Sequence, residues 1–360
     1  MTGSMVRYLK QWEKQATRPL YEAAFSEDSR EFVDYYYNWK TKDNEIIVME
    51  GAEGGSSFHV MIQMNPYTLC INGTVMEIPY IVAVATDSHY RRQGKMRRVM
   101  EKAIRDMWQK KLPFTFLLPA DAAYYRGQGF VYFPRQDYRK AGGICLLEEP
   151  SYKPVKELFQ KQWRYADTGD ALAMAVFANQ ILESRCGVYI NRDSDYYYRL
   201  LEELKAEHGG VLISGTKEKI RAMISYSISS KDGKVTAEIK EFLSGNDVSK
   251  EEAGQICQDA LRGLGCAVDN VRFTTSRMMV RLINLAALVP LLRSEKPVLY
   301  EVKVTDSVIE ENNGCFRIEI GKREGNICII EEKDVRQQMD IAGLADGLFQ
   351  GTAVYLHEWV

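Results

Sequence analysis

The 360-residue chain has a mass of 41.2 kDa, more than twice the roughly 150 residues of a typical domain, so two or three packed units are expected. Hydrophobic residues make up 46% and charged residues 27% of the chain, which excludes the composition of a disordered protein. A formal net charge of −2 provides no overall attraction to nucleic acids or anionic membranes, and we expect neither as a partner.

The longest apolar stretch, residues 282–292, is interrupted by Asn284 and Pro290 and is too short to cross a bilayer. We expect a core helix there. The N-terminus lacks the continuous apolar region of a signal peptide, which predicts a cytoplasmic protein. Seven scattered cysteines and four distant histidines fit neither a disulfide framework nor a metal site, so reduced thiols and no bound metal are expected.

The first predicted elements are a helix over residues 29–40, a strand at 45–50, a glycine-rich turn and a strand beginning at Phe58. The same order recurs 161 to 165 residues later, with a helix from Tyr196 and strands from Gly209 and Ile220. This recurrence predicts a duplicated α/β unit.

A strand–helix–strand segment extends each copy. In the first copy it covers residues 79–86, 95–110 and 113–118, and in the second it covers 238–243, 249–264 and 271–275. Two strands separated by a helix predict parallel pairing with a right-handed crossover in each copy.

Residues 276–360 have a different pattern. We predict a helix from Met278, strands at 298–304, 315–320 and 326–330, a helix from Val335, and a last strand at 352–356. This order indicates a small α+β unit. The predicted chain is therefore mixed α/β and α+β, with units at residues 1–150, 151–275 and 276–360.

The most informative segment is the apolar strand Ile81–Thr86, which leads through the basic turn Arg91-Arg92-Gln93-Gly94-Lys95-Met96-Arg97 into a helix. Backbone N–H groups at a helix N-terminus have no intrahelical partners and carry partial positive charge, so this turn can hold a pyrophosphate. Arginine side chains would add planar phosphate contacts. A solvated basic helix start or a nucleic-acid patch is the alternative interpretation.

This turn resembles the Arg/Gln-x-x-Gly-x-Gly/Ala motif of the GNAT superfamily of acyl-CoA-dependent N-acetyltransferases, with Met96 where a small residue is usual. The resemblance implies acetyl-CoA as cosubstrate. Its pyrophosphate would bind the amides of about residues 92–97, and its pantetheine arm would pair with the strand. The cofactor contacts implied in this way are Val84, Ala85, Thr86, Arg91, Arg92, Gln93, Gly94, Lys95, Met96, Arg97, Ala120 and Asp121.

A second motif follows the next predicted strand. The GNAT pattern Tyr-x-x-x-Gly-Phe fits Tyr125 through Gly129 and Phe130. Tyr125 is then the candidate general acid that protonates the departing thiolate, with Tyr124 as its rival, although both could be packing residues.

The whole chain resembles the Eis (enhanced intracellular survival) family. The second unit has an acidic segment, Ser249-Lys-Glu-Glu, where the first has its basic turn, so we expect it not to bind CoA. The family has an active GNAT domain, a degenerate GNAT domain and a C-terminal domain related to sterol carrier proteins, and it forms hexamers. The resemblance implies that the carboxylate of Val360 acts as general base. A well-packed last strand would explain the same C-terminal sequence.

Two functions remain at this stage. The first is transfer of acetyl from acetyl-CoA to a primary amine of the aminoglycoside, polyamine or lysine type, by direct attack, with the oxyanion held by a strand amide near Val84. Acidic and aromatic residues near the N-terminus, among them Glu22, Glu27, Asp28, Trp39 and Tyr35 to Tyr37, would suit a cation. The second is a non-catalytic acyl-CoA-binding or lipid-carrying module.

Overall fold

Three sheets organise the chain in the computed structural model, which describes residues 5–51, 57–134, 163–216, 219–231, 234–245, 271–273 and 277–358. The first sheet has nine strands, the second five and the third four. Within the described ranges, no helix is long and apolar enough to cross a membrane.

The first sheet is built mainly from the N-terminal third of the chain. Its strands there are β1 (Val6–Tyr8), β2 (Glu45–Glu50), β3 (Phe58–Ile71), β4 (Thr74–Thr86), β5 (Phe114–Leu117) and β6 (Val131–Tyr132). Its helices are α1 (Arg18–Ala24), α2 (Arg30–Trp39), α3 (Lys95–Gln109) and α4 (Ala123–Arg126). Strands β1 to β4 are antiparallel neighbours, while β4 and β5 pair in parallel as predicted.

The sequence explains how the helices sit on this sheet. Along α3, the buried residues Val99, Met100, Ala103, Ile104 and Met107 follow helical spacing and form one apolar stripe. This stripe packs on one face of the sheet, whereas α1 and α2 pack on the other. The Ser29 hydroxyl accepts from the Phe32 amide and caps the start of α2.

The second sheet repeats the first. It contains β7 (Trp163–Tyr165), β9 (Gly210–Gly215), β10 (Ile220–Lys231), β11 (Lys234–Ser244) and β12 (Val271–Phe273), with helices α5 (Ala171–Arg185) and α6 (Ser194–Ala206). The strand order β7-β9-β10-β11-β12 and the parallel pairing of the last two strands match β1 to β5. The helix predicted at 249–264 lies outside the described residues.

The C-terminal part corrects two predictions. Residues 279–282 form strand β13 (Met279–Leu282), not a helix, and the helix begins only at α7 (Leu285–Leu288). A short apolar run that is fully buried cannot be assigned to helix or strand from periodicity. The helix predicted from Val335 is also misplaced. Strand β17 (Gln337–Asp340) comes first, and α8 (Ile341–Phe349) starts where the Asp340 carboxylate caps the Gly343 amide.

The third sheet consists of β14 (Val298–Thr305), β15 (Gly314–Ile320), β16 (Gly325–Ile329) and β17, which confirms the three predicted strands. The C-terminal part also enters the first sheet, because β13 lies between β5 and β6. Furthermore, β18 (Val354–Tyr355) pairs with β8 (Val188–Ile190), which pairs with β3. One apolar core spans all three parts. The boundaries at 150 and 275 stay predictions.

Candidate active site

Strands β4 and β5 form a fork. They pair at only two positions, Tyr80 with Phe116 and Ile81 with Leu117. Beyond Ile81 the register of β4 against β3 also shifts, and Ala83 has a positive φ of 49°, which is the signature of a β-bulge. The backbone of residues 82–86 therefore has no strand partner on its β5 side within the described residues. An extended molecule can pair there.

The start of α3 lies just after the end of β4 and carries no capping side chain. Gly94 is the N-cap with a φ of 71°, and the first intrahelical bond joins the Arg98 amide to the Gly94 carbonyl at 3.2 Å. The amides of residues 95–97 thus have no intrahelical acceptor. Together with the positive end of a 15-residue helix, they form a site suited to an anion.

Some basic side chains of the turn are engaged by neighbouring side chains, and others form no ion pair with a described residue. The Lys95 ammonium lies 3.0 Å from His59 Nδ1 and over the Tyr90 ring. Burial and this ammonium lower the pKa of His59, so its neutral ring accepts the hydrogen bond. Arg97 pairs with Glu101 at 2.8 Å. Arg91 and Arg92 are exposed and form no ion pair with a described residue, which leaves both available to an anion.

A cleft of about 300 Å³ borders the end of β4 and the basic turn. On one side, α1 and the helical turn before it contribute small or apolar residues, namely Ala16, Pro19, Leu20, Ala23 and Ala24. On the other side lie Ser57, Phe58, Thr86, Asp87, Ser88 and Arg91. The Arg91 Nε donates to the Thr86 carbonyl at 3.2 Å and holds this wall together. The cleft has the size of a small-ligand site.

Tyr125 is buried beside the fork, whereas its neighbour Tyr124 is 62% exposed. The Tyr125 ring packs edge-on against Phe130, with 5.8 Å between ring centroids, in the core formed with α3. Its hydroxyl forms no hydrogen bond with the described residues, and burial raises its pKa to about 12. Ala120 and Asp121 are exposed at the start of α4, where the Asp121 carboxylate accepts from the Ala123 amide.

A second cavity, of about 200 Å³, lies on the face of the sheet opposite Tyr125, and we refer to it as the acidic cavity. Its ionisable lining consists of Lys40, Asp43, Glu77, Asp193, Asp195, Arg199, Glu203 and Glu358, and Asn65, Tyr67 and Tyr196 are among its other lining residues. Lys40 pairs with Glu203 at 3.2 Å, and Arg199 pairs with Asp43. Four carboxylates remain without an ion pair to a described residue, so the cavity attracts cations.

Glu358 is the most buried of these four carboxylates, with 7% of the residue exposed. Burial raises its pKa to about 7, although Arg192, Lys40 and a 2.8 Å hydrogen bond from Tyr196 act in the opposite direction. The preceding residues hold it in place. The Tyr355 hydroxyl donates to Glu241, which forms a buried ion pair with Arg192, and the His357 ring bonds to the Lys240 carbonyl.

Aromatic rings connect the acidic cavity to the fork. Tyr67 lines the cavity and meets the Tyr80 ring edge-on, with 5.8 Å between centroids, and Tyr80 stacks on Phe116 at 5.0 Å. Tyr80 and Phe116 are paired at the base of the fork, and the Leu118 amide bonds to the Tyr80 hydroxyl. Tyr125 packs on the other face of the sheet. Tyr125 and the acidic cavity therefore lie on opposite faces of the sheet.

The structure brings the predicted residues 84–86 and 91–97 together at the end of β4 and the start of α3, whereas the sequence analysis did not predict the acidic cavity. The tyrosines predicted to suit a cation, Tyr35 to Tyr37, are at most 5% exposed and belong to the core. Glu22 pairs with Arg18, and Asp28 accepts from Tyr21. The cavity residues come from segments more than a hundred positions apart, so no local motif marks them. Val360 lies outside the described residues.

Comparisons with known proteins bear on the first 133 residues and on the overall fold. Residues 5–133 match the sequence model of a family described as acetyltransferase (GNAT) domain. No curated protein sequence matches the chain. In fold, the chain is similar to a GCN5-related N-acetyltransferase from Anabaena variabilis, with 16% identity, a TM-score of 0.70, and coverage of 96% of this chain and 90% of that one.

Two further solved structures share the fold along nearly the whole chain. A conserved protein of unknown function from Enterococcus faecalis V583 is 16% identical, with a TM-score of 0.69 and coverage of 96% of this chain and 89% of that one. Eis1 from Mycobacterium abscessus is 12% identical, with a TM-score of 0.61 and coverage of 97% and 90%. The chain therefore contains a GNAT acetyltransferase domain at residues 5–133, within a larger fold that these proteins share.

Proposed function

We propose that this protein transfers the acetyl group of acetyl-CoA, its cosubstrate, to a primary amine by direct attack through a tetrahedral intermediate. The observation that carries this proposal is the fork between β4 and β5, which opens beside the uncapped start of α3. An extended thioester can pair with one strand edge there while its phosphates reach a helix N-terminus.

On the donor side, the amides of Lys95, Met96 and Arg97 would hold the pyrophosphate, with Arg91 and Arg92 as free cations beside them. The pantetheine arm would pair with the unpaired edge of β4 at Val84 to Thr86, and an amide near Val84 would stabilise the oxyanion. Gln93 donates to the His89 carbonyl at 3.1 Å, so it would shape the turn. Ala120 and Asp121 would contact the cofactor through the start of α4.

Tyr125 would act as the general acid for the leaving thiolate. Its pKa of about 12 exceeds the roughly 8.5 of a free thiol by about 3.5 units, so complete proton transfer is uphill by about 5 kcal/mol. Burial of the thiolate raises the thiol pKa and narrows this gap. We therefore assign Tyr125 to donating a hydrogen bond that becomes a proton transfer as the C–S bond breaks.

The acceptor would enter through the acidic cavity. Six carboxylates and two basic side chains line it, which favours a cationic amine over a neutral or anionic acceptor. Polyamines, aminoglycosides and lysine side chains all carry such amines. The acceptor nitrogen would meet the thioester at the base of the fork, where Tyr80 and Phe116 pair.

The resemblance to the Eis family implies three further properties, which remain predictions. These are a sterol-carrier-protein-like fold for the C-terminal α+β unit, a hexameric assembly, and a general-base role for the carboxylate of Val360. The shared fold with Eis1 supports the first of these only at the level of overall architecture. A cytoplasmic location likewise remains a prediction.

A thiol-release assay tests the proposal. The full-length protein is mixed with acetyl-CoA and, in turn, spermidine, an aminoglycoside and a lysine-containing peptide, and acetylated products are identified by mass spectrometry. We expect turnover that falls about 100-fold in Tyr125→Phe and little in Tyr124→Phe, because only Tyr125 is buried beside the fork. Binding of CoA with no turnover of any amine would instead indicate the acyl-CoA-binding or lipid-carrying module.

A further inference from the structure

We infer that Glu358 is the general base of the reaction and takes the proton from the acceptor ammonium. This inference rests on the proposed function and assigns the base to a residue of the acidic cavity rather than to the chain terminus.

The geometry gives Glu358 one occupied and one available oxygen. The Tyr196 hydroxyl donates to Oε1 at 2.8 Å, while Oε2 forms no hydrogen bond with a described residue and Glu358 lines the cavity. The carboxylate is otherwise enclosed, since 7% of the residue is exposed. Because Oε2 has no donor among the described residues and Glu358 lines the cavity, a substrate ammonium in the cavity can donate to it.

The other carboxylates of the cavity are less suited to this role. Glu203 is engaged by the Lys40 ammonium at 3.2 Å and by the Tyr35 hydroxyl at 3.0 Å. Glu77, Asp193 and Asp195 are exposed, which leaves them hydrated and suited to attracting a cation rather than to moving its proton. Glu358 is the only buried carboxylate among the described cavity residues that forms no ion pair with a described residue.

The position of Glu358 fits a proton acceptor for the reacting amine. It lies close enough to Tyr67 and Tyr80 for its charge to act on both rings, and Tyr80 stands at the base of the fork. The groups that face it are Arg192, Lys40, Glu203, Tyr35, Tyr67, Tyr80, Tyr196 and Tyr197. The raised pKa of Glu358, about 7, makes it a stronger base than an ordinary carboxylate.

The proton and electron balance is simple. The N–H bond of the acceptor ammonium breaks and its proton goes to Glu358 Oε2, which leaves a lone pair on nitrogen. That lone pair forms the N–C bond to the thioester carbonyl. When the tetrahedral intermediate collapses, the oxyanion re-forms the C=O bond, the C–S bond breaks and the CoA sulfur receives the Tyr125 proton. The nitrogen loses its second proton to solvent. Glu358 then releases its proton to solvent and Tyr125 regains one from solvent, so one proton is released for each ammonium acetylated.

The test measures the pH profile of kcat/KM for the full-length protein with acetyl-CoA and spermidine. We expect an acidic limb in the wild type, with activity rising through about pH 7 as Glu358 ionises. In Glu358→Gln this limb should disappear and kcat should fall about 100-fold while the KM for acetyl-CoA stays unchanged. Glu358→Asp should restore part of kcat and the limb, which a purely structural role would not do.

Two neighbouring variants should move the limb in opposite directions. Tyr196→Phe removes a hydrogen bond that favours the ionised form, so the limb should shift to higher pH. Glu203→Gln removes a nearby negative charge, so the limb should shift to lower pH. NMR titration of the protein labelled with ¹³C at the glutamate carboxyl carbons gives a second readout, because the resonance missing in Glu358→Gln should titrate near pH 7 in the wild type.

The outcomes separate the two proposals. No turnover of any amine by the wild type refutes the proposed function. Wild-type turnover combined with an unchanged profile in Glu358→Gln overturns the inference on Glu358 alone. Loss of the limb on deleting Val360, with the limb intact in Glu358→Gln, would assign the base to the terminal carboxylate instead.

Discussion

Glu358 should reduce the stability of the protein at alkaline pH, and Glu358→Gln should relieve that cost. The folded protein raises the pKa of this carboxyl from 4.5 to about 7 because the ionised form is buried. The folded protein binds the Glu358 proton more tightly than the unfolded chain does. Tighter proton binding therefore stabilises the fold fully below about pH 4.5, and this stabilisation is lost as the pH rises through about 7. The shift of about 2.5 units corresponds to about 3 kcal/mol of unfolding free energy.

Urea denaturation of both proteins between about pH 5 and pH 8 measures this effect. Over that range, the free energy of unfolding of Glu358→Gln minus that of the wild type should rise by about 2.5 kcal/mol, since part of the total shift occurs below pH 5. Glutamine keeps an oxygen that can accept from Tyr196, so packing changes little. The control is Glu295→Gln, whose side chain is 88% exposed and should give a flat difference. A flat difference for Glu358→Gln as well would refute the reasoning.

Three further predictions concern other parts of the molecule. Gly94→Val should weaken acetyl-CoA binding at least tenfold by calorimetry, because a φ of 71° strains a β-branched residue at the N-cap of α3; full affinity would contradict the proposed pyrophosphate site there. Deleting Val360 should leave the acidic limb of the pH profile in place, because we assign the base to Glu358; loss of that limb with the oligomeric state unchanged by light scattering would assign the base to the terminal carboxylate. Asp306→Ala should cost about 3–5 kcal/mol in denaturant unfolding, because it leaves Arg281 charged and fully buried without its partner at 2.6 Å; a loss below 1 kcal/mol would show that the pair is not needed.

The donor side could be predicted because its chemistry is local in sequence. An apolar strand, a glycine with positive φ and a run of cations lie within residues 81–97, and the same few positions form the bulge and the helix start. The parallel pairing of β4 with β5 also followed from the strand–helix–strand order. Val84, Thr86 and Gly94 lie where that pattern placed them.

The acidic cavity, our proposed acceptor side, could not be predicted because it is assembled by tertiary packing. Glu358 faces Tyr196 across 162 sequence positions, and Tyr35 reaches Glu203 across 168. Tyr35 to Tyr37 were predicted to suit a cation at the surface, but all three rings are buried. Burying a tyrosine ring is favourable when its hydroxyl finds a hydrogen-bond partner in the protein interior. The strand at 279–282 was misassigned for a similar reason, since its neighbours β5 and β6 come from distant sequence.

The duplicated sheet explains where the acceptor side comes from. Strand β11 in the second copy keeps a register shift near Lys240, as β4 does near Ala83. In the first copy the bulge leaves an open strand edge for a donor. In the second copy the Lys240 carbonyl at the bulge binds His357, and the adjacent Glu241 holds Tyr355.

The second copy therefore uses its bulge to anchor the end of the chain, and α6 of that copy supplies Tyr196 and Glu203 to the acidic cavity. A single copy of the unit would have the fork and the basic turn but not these walls of the acidic cavity. The proposed acceptor site therefore depends on both copies, because contacts to the second copy hold Glu358 in place. The cost of keeping that carboxylate buried is then the stability that Glu358→Gln should recover.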